Sequence, residues 1–194
     1  MKKIITLSRE FGSGALEIGQ KVAKNLGFDF IDKEIILQTA RNAGIDADRI
    51  LDLDEKVPAH FGFTQSLFDM YNAPLDEKLF KIQKDIIKKI GEKGNCVIVG
   101  RCANSILKEF DNSLHVFLSA DSYWKINRLK TKIMPGSTEA QIIKHMHEVD
   151  KARRKYSAYY TNEVFGAAES YDLCLRTSSL GIEKCVEIIC SLCR

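Results

Sequence analysis

The sequence predicts an α/β fold: a five-stranded parallel sheet with helices on both faces. Three observations carry this. Residues 4–27, IITLSREFGSGALEIGQKVAKNLG, pass from a short apolar run through a glycine-containing turn into a helix-spaced pattern. The run CVIV at Cys96–Val99 is apolar throughout, as a strand buried on both faces requires. Further apolar segments at 28–31, 115–118 and 171–177 alternate with helical patterns, which implies parallel strands joined by covering helices.

The first segment is laid out as a phosphate-binding loop. Gly12 and Gly14 permit a tight backbone path on either side of Ser13, so that successive N–H groups point inward at the start of the next helix. Ile18, Val22, Ala23 and Leu26 then recur at helical spacing, and Gly27 stands at the C-cap position. The side-chain half of the strict pattern is missing. Ala15 and Leu16 occupy the places of the phosphate-binding lysine and the magnesium-binding hydroxyl, and Glu17 follows. Taken alone, G-S-G also fits a plain strand-to-helix turn. A loop without lysine calls for another nearby cation. Arg9, at the end of the first strand, is the candidate for a side chain folded over the phosphates. Its alternative is a surface pair with Glu10 or Glu17.

The second strand, 28–31, delivers Asp32 to the carboxyl edge of the sheet, where ligands bind in open parallel sheets. Asp32 also suits the N-cap of a helix over 34–42. Residues 44–75 are irregular, mixing an acidic run with His60, Phe61, Phe63, Phe68 and Tyr71. Leu75, Leu79, Ile82, Ile86 and Ile90 predict an amphipathic helix closed by Gly91 and Gly94. The third strand ends at Gly100-Arg101, which brings a guanidinium to the ligand edge. A surface arginine is disfavoured at a helix start, so Arg101 reads as an anion-binding residue.

After the fourth strand, 121–132 reads as a helix carrying Arg128, broken by Pro135-Gly136. A long helix restarts at Ser137 and carries His145, His147, Asp150 and Arg153. The two histidines lie on different faces and make a poor metal pair, so no metal ligands are expected. Asp150 and Arg153 share a face, as a simple helix ion pair also would. Arg153, Arg154 and Lys155 with nearby tyrosines resemble a nucleic-acid surface, but no wider basic field supports them. A last strand at 171–177 and an amphipathic helix after Gly181 complete the alternation.

At 194 residues, with 45% hydrophobic and 28% charged side chains, one soluble domain is expected over 1–194. A net charge of +3 argues for neither nucleic acid nor membrane as partner. The four apolar or hydroxyl residues after MKK are too few for a signal sequence, so a cytoplasmic location is expected. The six cysteines read as reduced core residues, and Cys190-x-x-Cys193 has no second pair to complete a metal site.

Six segments in order resemble the cytidylate kinase-like family of P-loop proteins. They are ITLSREFGSGALEIGQKVAKNLGF, FIDKEII, GNCVIVGRCANSIL, LHVFLSA, VDKARRKYSAYYT and YDLCLRTSSLGIEKCVEII. The resemblance implies a three-layer P-loop NTPase fold with an acceptor-binding helical insertion at 44–75 and a lid at 133–162. It implies transfer of a phosphoryl group from ATP, with Mg2+, to a small nucleotide such as CMP or dCMP. Donor phosphates would lie on Arg9, Gly12, Ser13, Gly14, Ala15 and Leu16. Asp32 and Arg101 would hold the acceptor, and Arg153 with Asp150, in the D-x-x-R of the lid, would act on the transferring group. Ala15 and Leu16 depart from the family pattern, and Val99 stands where many members have an acid before the glycine. These losses leave open two alternatives: a non-catalytic nucleotide- or phospholigand-binding module, or a kinase for another small hydroxyl or phosphate acceptor.

Overall fold

The computed structural model describes residues 3–32 and 77–193. Its elements run β1 (Ile4–Arg9), α1 (Ala15–Leu26), β2 (Asp29–Ile31), α2 (Glu77–Lys93), β3 (Cys96–Val99), α3 (Ala103–Ile106), β4 (Ser113–Ser119), α4 (Ser122–Lys132), α5 (Glu139–Tyr160), β5 (Leu173–Arg176), α6 (Thr177–Leu180) and α7 (Ile182–Ser191). The strands form one five-stranded sheet in the order β2-β3-β1-β4-β5, every pairing parallel. This is the expected fold class. The central strand β1 is buried along nearly its whole length, which is why Ile4, Ile5 and Leu7 are apolar and only the small hydroxyl residues Thr6 and Ser8 interrupt them before Arg9.

Alternate residues of β1 serve two cores. Ile5 and Leu7 pack with Ile18 and Val22 of α1 and with Val186 and Ile189 of α7. Ile4 points to the other face, where Ile86 and Ile87 of α2 and Leu107 beyond α3 cover the sheet. A third cluster joins Phe11 to Leu129 of α4 and Ile142, Met146 and Val149 of α5. This third cluster brings α5 onto the glycine turn after β1.

Helix ends follow local chemistry. Asp121 caps α4 by accepting the Trp124 N–H at 2.8 Å, and Thr138 with Gln141 forms a capping box at α5. The helix that Pro135-Gly136 was expected to separate therefore starts at Glu139, one residue after its cap. Gly27 ends α1 in the left-handed conformation, as predicted.

Three expectations change. Gly91 lies within α2 rather than closing it, because Leu107 packs so tightly there that a Cβ would come within 2.7 Å of Leu107 Cδ2; Gly94 follows the helix. The fifth strand stops at Arg176, since Thr177 is drawn into α6 with its hydroxyl donating to the Ser119 carbonyl at 3.0 Å. Cys174 is exposed, not core, because β5 is the sheet's edge and its alternate residues face out. All six cysteines are in the reduced thiol form. Leu75, the helix over 34–42 and the insertion at 44–75 lie outside the described residues. Among the described residues no helix is long and apolar enough to cross a membrane.

Candidate functional site

The glycine turn is held from three sides. Glu10 N–H donates to the Leu118 carbonyl of β4 at 3.0 Å, and Ser13 N–H to the Glu10 carbonyl at 3.3 Å. The Ser13 hydroxyl, fully buried, donates to the same carbonyl at 2.9 Å, so the serine shapes the turn. From α5, the Asp150 carboxylate accepts the Phe11 N–H at 2.8 Å. Gly12 and Gly14 have φ of +83° and +86°, and a Cβ on Gly14 would come within 2.6 Å of Ile182 Cδ1. The positive φ therefore favours glycine at Gly14, and a side chain there would also have to push the Ile182 methyl aside. Among the described residues, the N–H groups of Gly12, Gly14, Ala15 and Leu16 donate to no backbone carbonyl. They line a cavity of about 80 Å³ with Arg9, Glu17, Arg128 and Arg153, at the positive end of α1.

The carboxylates of the alternative reading, in which Arg9 pairs at the surface, are engaged elsewhere. Glu10 Oε2 accepts from Lys125 Nζ at 2.9 Å and from Ala120 N–H at 3.2 Å. Glu17 is bound by Arg128 at 2.6 Å, and the hydrogen bond from that guanidinium holds its carboxyl down at about 2. Arg9 instead lays its guanidinium against Gly100 at the end of β3, where a Cβ would overlap it. Gly100 also has φ +82°. Gly100→Ala should therefore displace Arg9 and strain the backbone, costing about 1–3 kcal/mol of unfolding free energy; chemical denaturation would read this, and an unchanged midpoint would contradict the packing.

The next two residues, Arg101 and Cys102, are non-glycine residues at φ +62° and +54°. Backbone held in that region costs of order 1–3 kcal/mol per residue and persists where the surroundings fix it. It brings a buried Arg101, 3% exposed, into a second cavity with Ser8, Arg9, Gly100, Asn104, Arg153 and Tyr171. Burial pushes the Cys102 thiol up to about 12, so it is present there as a neutral group.

Arg153, 4% exposed, is positioned between the cavities. Its Nη1 donates to the Arg9 carbonyl at 3.1 Å and to Asp150 Oδ1 at 3.2 Å, and its guanidinium lies 5.7 Å from the centre of the Phe11 ring. His145 meets the same ring edge-on at 5.1 Å, and burial holds its pKa below the usual histidine range. Asp150 thus ties α5 to the loop while orienting Arg153. Arg9 and Arg153 line both cavities. Asp32 follows β2 at the sheet's carboxyl edge and lines neither cavity.

Two groups in the site escaped the sequence reading. The sequence puts Arg128 on a helix without marking a role for it, although Lys125 and Arg128 are three apart and so share the face that meets the loop. The polar set of Ser8, Asn104 and Glu163 joins β1, α3 and the segment after α5, with Ser8 Oγ donating to Asn104 Oδ1 at 3.3 Å and Asn104 Nδ2 to Glu163 Oε2 at 2.8 Å. No local pattern announces such a set.

A strand, a glycine turn with inward amides and arginines shared between two cavities at the sheet's ligand edge have a counterpart among known families: the model of the cytidylate kinase-like family matches residues 4–179. The chain belongs to that family. This cytidylate kinase-like chain is also similar to solved structures. An uncharacterized protein from Eubacterium ventriosum shares 24% identity with a TM-score of 0.76, covering 99% of this chain and 98% of that one. Shikimate kinase from Bacteroides thetaiotaomicron shares 16% identity at a TM-score of 0.55, covering 97% of each chain. The tunicamycin resistance protein from Deinococcus radiodurans shares 16% identity at a TM-score of 0.54, covering 99% of this chain and 95% of that one. These likenesses establish a kinase-like P-loop fold. No curated protein matches the chain.

The cavity residues suit a phosphate chain better than they suit a metal. Gly12, Gly14, Ala15 and Leu16, whose N–H groups donate to no backbone carbonyl among the described residues, line the first cavity together with three arginines. No group of three His, Cys, Asp or Glu side chains among the described residues is placed to hold a metal ion. Leu16 offers no hydroxyl, and both Glu10 and Asp150 already accept from neighbouring donors.

Proposed function

We propose that this protein is a phosphotransferase moving the outer phosphoryl group of ATP to a small nucleotide, CMP or dCMP. One observation carries the proposal: Arg9 and Arg153 line both cavities, so a group passing from one to the other stays beside two guanidinium charges. Donor phosphates lie on the amides of Gly12, Gly14, Ala15 and Leu16, and the acceptor's anionic group lies on Arg101. Catalysis is charge neutralisation and positioning, with little covalent chemistry for the protein to do. Asp150 is a positioning residue, since its carboxylate fixes both Phe11 N–H and Arg153. Magnesium, which this chemistry uses to neutralise phosphate charge, would be held chiefly by the nucleotide.

The test is a coupled assay of ADP release with ATP, magnesium and each common nucleoside monophosphate. Turnover is expected with CMP or dCMP. No turnover with any of them removes the proposal. Arg101→Ala should weaken acceptor binding by roughly 1.5–3 kcal/mol, the worth of a charge-assisted hydrogen bond. Equilibrium titration with the acceptor reads this; an unchanged affinity makes Arg101 structural.

A second reading is favoured by the loop itself. Ala15 is 4% exposed within the apolar core, so neither it nor Leu16 supplies a charge or a hydroxyl. A non-catalytic nucleotide-binding module would bind ATP in calorimetry and release no ADP with any acceptor, including small hydroxyl acids.

A further inference from the structure

The loop lacks a lysine of its own, yet a cation does stand over it. Arg128 of α4 places its guanidinium carbon 3.7 Å from where a Cβ on Gly14 would sit, and it lines the first cavity beside Ala15 and Leu16. From below it rests on Trp124, 5.5 Å from the ring centre. Its charge is engaged by the loop's own helix, since Nη2 donates to Glu17 Oε2 at 2.6 Å. Glu17 has two further partners: Lys132 lies 3.3 Å from the same oxygen, and Lys21 lies 3.3 Å from Oε1.

We infer that Arg128 supplies the phosphate-facing charge that Ala15 cannot, and that Glu17 is its internal competitor, displaced when a polyphosphate enters the cavity. The inference rests on the first cavity being the donor-phosphate site. Carboxylate and phosphate are the two anions whose oxygens match the guanidinium fork, so one can replace the other on Arg128 with little movement. The exchange leaves no buried charge alone, because Glu17 keeps Lys21 and Lys132. A polyphosphate also gains the N–H groups of Gly12, Gly14, Ala15 and Leu16, which the Glu17 side chain does not use. That asymmetry favours the incoming ligand and makes the Glu17 pair a reversible cover rather than a block.

The chain's one tryptophan reports on this site directly, because Trp124 Cη2 lies 3.5 Å from the Cβ position of Gly14. Parent, Glu17→Gln, Arg128→Gln and the double variant would each be titrated with inorganic tripolyphosphate and, separately, with ATP. Trp124 emission follows binding, and calorimetry guards against changed fluorescence in the Arg128 variants. Glu17→Gln should bind tripolyphosphate about tenfold more tightly and Arg128→Gln about tenfold more weakly, as expected when one charge-assisted contact is released or lost. The gain from Glu17→Gln should vanish in the Arg128→Gln background. Glu183→Gln removes another partner of Lys21 outside the cavity and should change nothing. A gain that persists without Arg128 would show only a change of net charge and overturn the inference, as would no gain at all or no tripolyphosphate binding by any variant. If the cycle holds with tripolyphosphate while ATP does not bind, the inference stands and the ATP reading falls. If ATP is turned over but the cycle is flat, the reverse is true.

Discussion

Arg153→Ala is expected to abolish phosphoryl transfer and to lower stability by about 3 kcal/mol, because it strips Asp150 of its partner in a buried pair. The two side chains are only 4% and 9% exposed. Asp150 keeps the Phe11 N–H, which limits the loss but leaves a carboxylate without its counter-charge. The same substitution releases the Arg9 carbonyl and uncovers one face of Phe11, so the glycine turn loses a tie to α5. Urea unfolding and the coupled assay read the two effects separately. Arg153→Lys should recover more stability than transfer, since an ammonium satisfies the charge without the fork that reaches two acceptors. An alanine variant with parental stability would refute the latch.

Arg9→Ala should give the opposite split. Its guanidinium lies over Gly100 between the two cavities, and Glu10 and Glu17 pair with other residues. Little packing is lost, so the melting temperature should hardly change. Transfer should fall by about 10²–10³-fold, the cost of removing one positioned donor from a developing phosphoryl charge. A variant that turns over normally would leave Arg9 without a role in transfer.

Much of this was legible in the sequence for a physical reason. Parallel strands buried on both faces carry little polar side-chain surface, so the start of β1 at Ile4–Leu7 and the run Cys96–Val99 announce themselves. A turn that exposes amides needs residues at positive φ, and Gly12 and Gly14 mark it. Arg101 was legible because a strand's carboxyl end fixes where the next residue emerges, although nothing local foretold its left-handed backbone. What stayed hidden depends on contacts between distant elements. Arg128 meets Glu17 across 111 residues, and Asp150 meets Phe11 across 139. Periodicity placed Asp150 and Arg153 on one face of a helix, but only the packing of α5 on Phe11 brings them to the glycine turn.

The central claim is that the two cavities are one site joined by Arg9 and Arg153. Its most direct test is binding of a bisubstrate analogue in which adenosine and cytidine are linked by a polyphosphate chain. One molecule should bind per chain, more tightly than ATP, and should compete with both ATP and CMP. Arg9→Ala and Arg153→Lys should each erase most of its advantage over ATP. Binding no tighter than ATP, or failure to displace CMP, would contradict the claim.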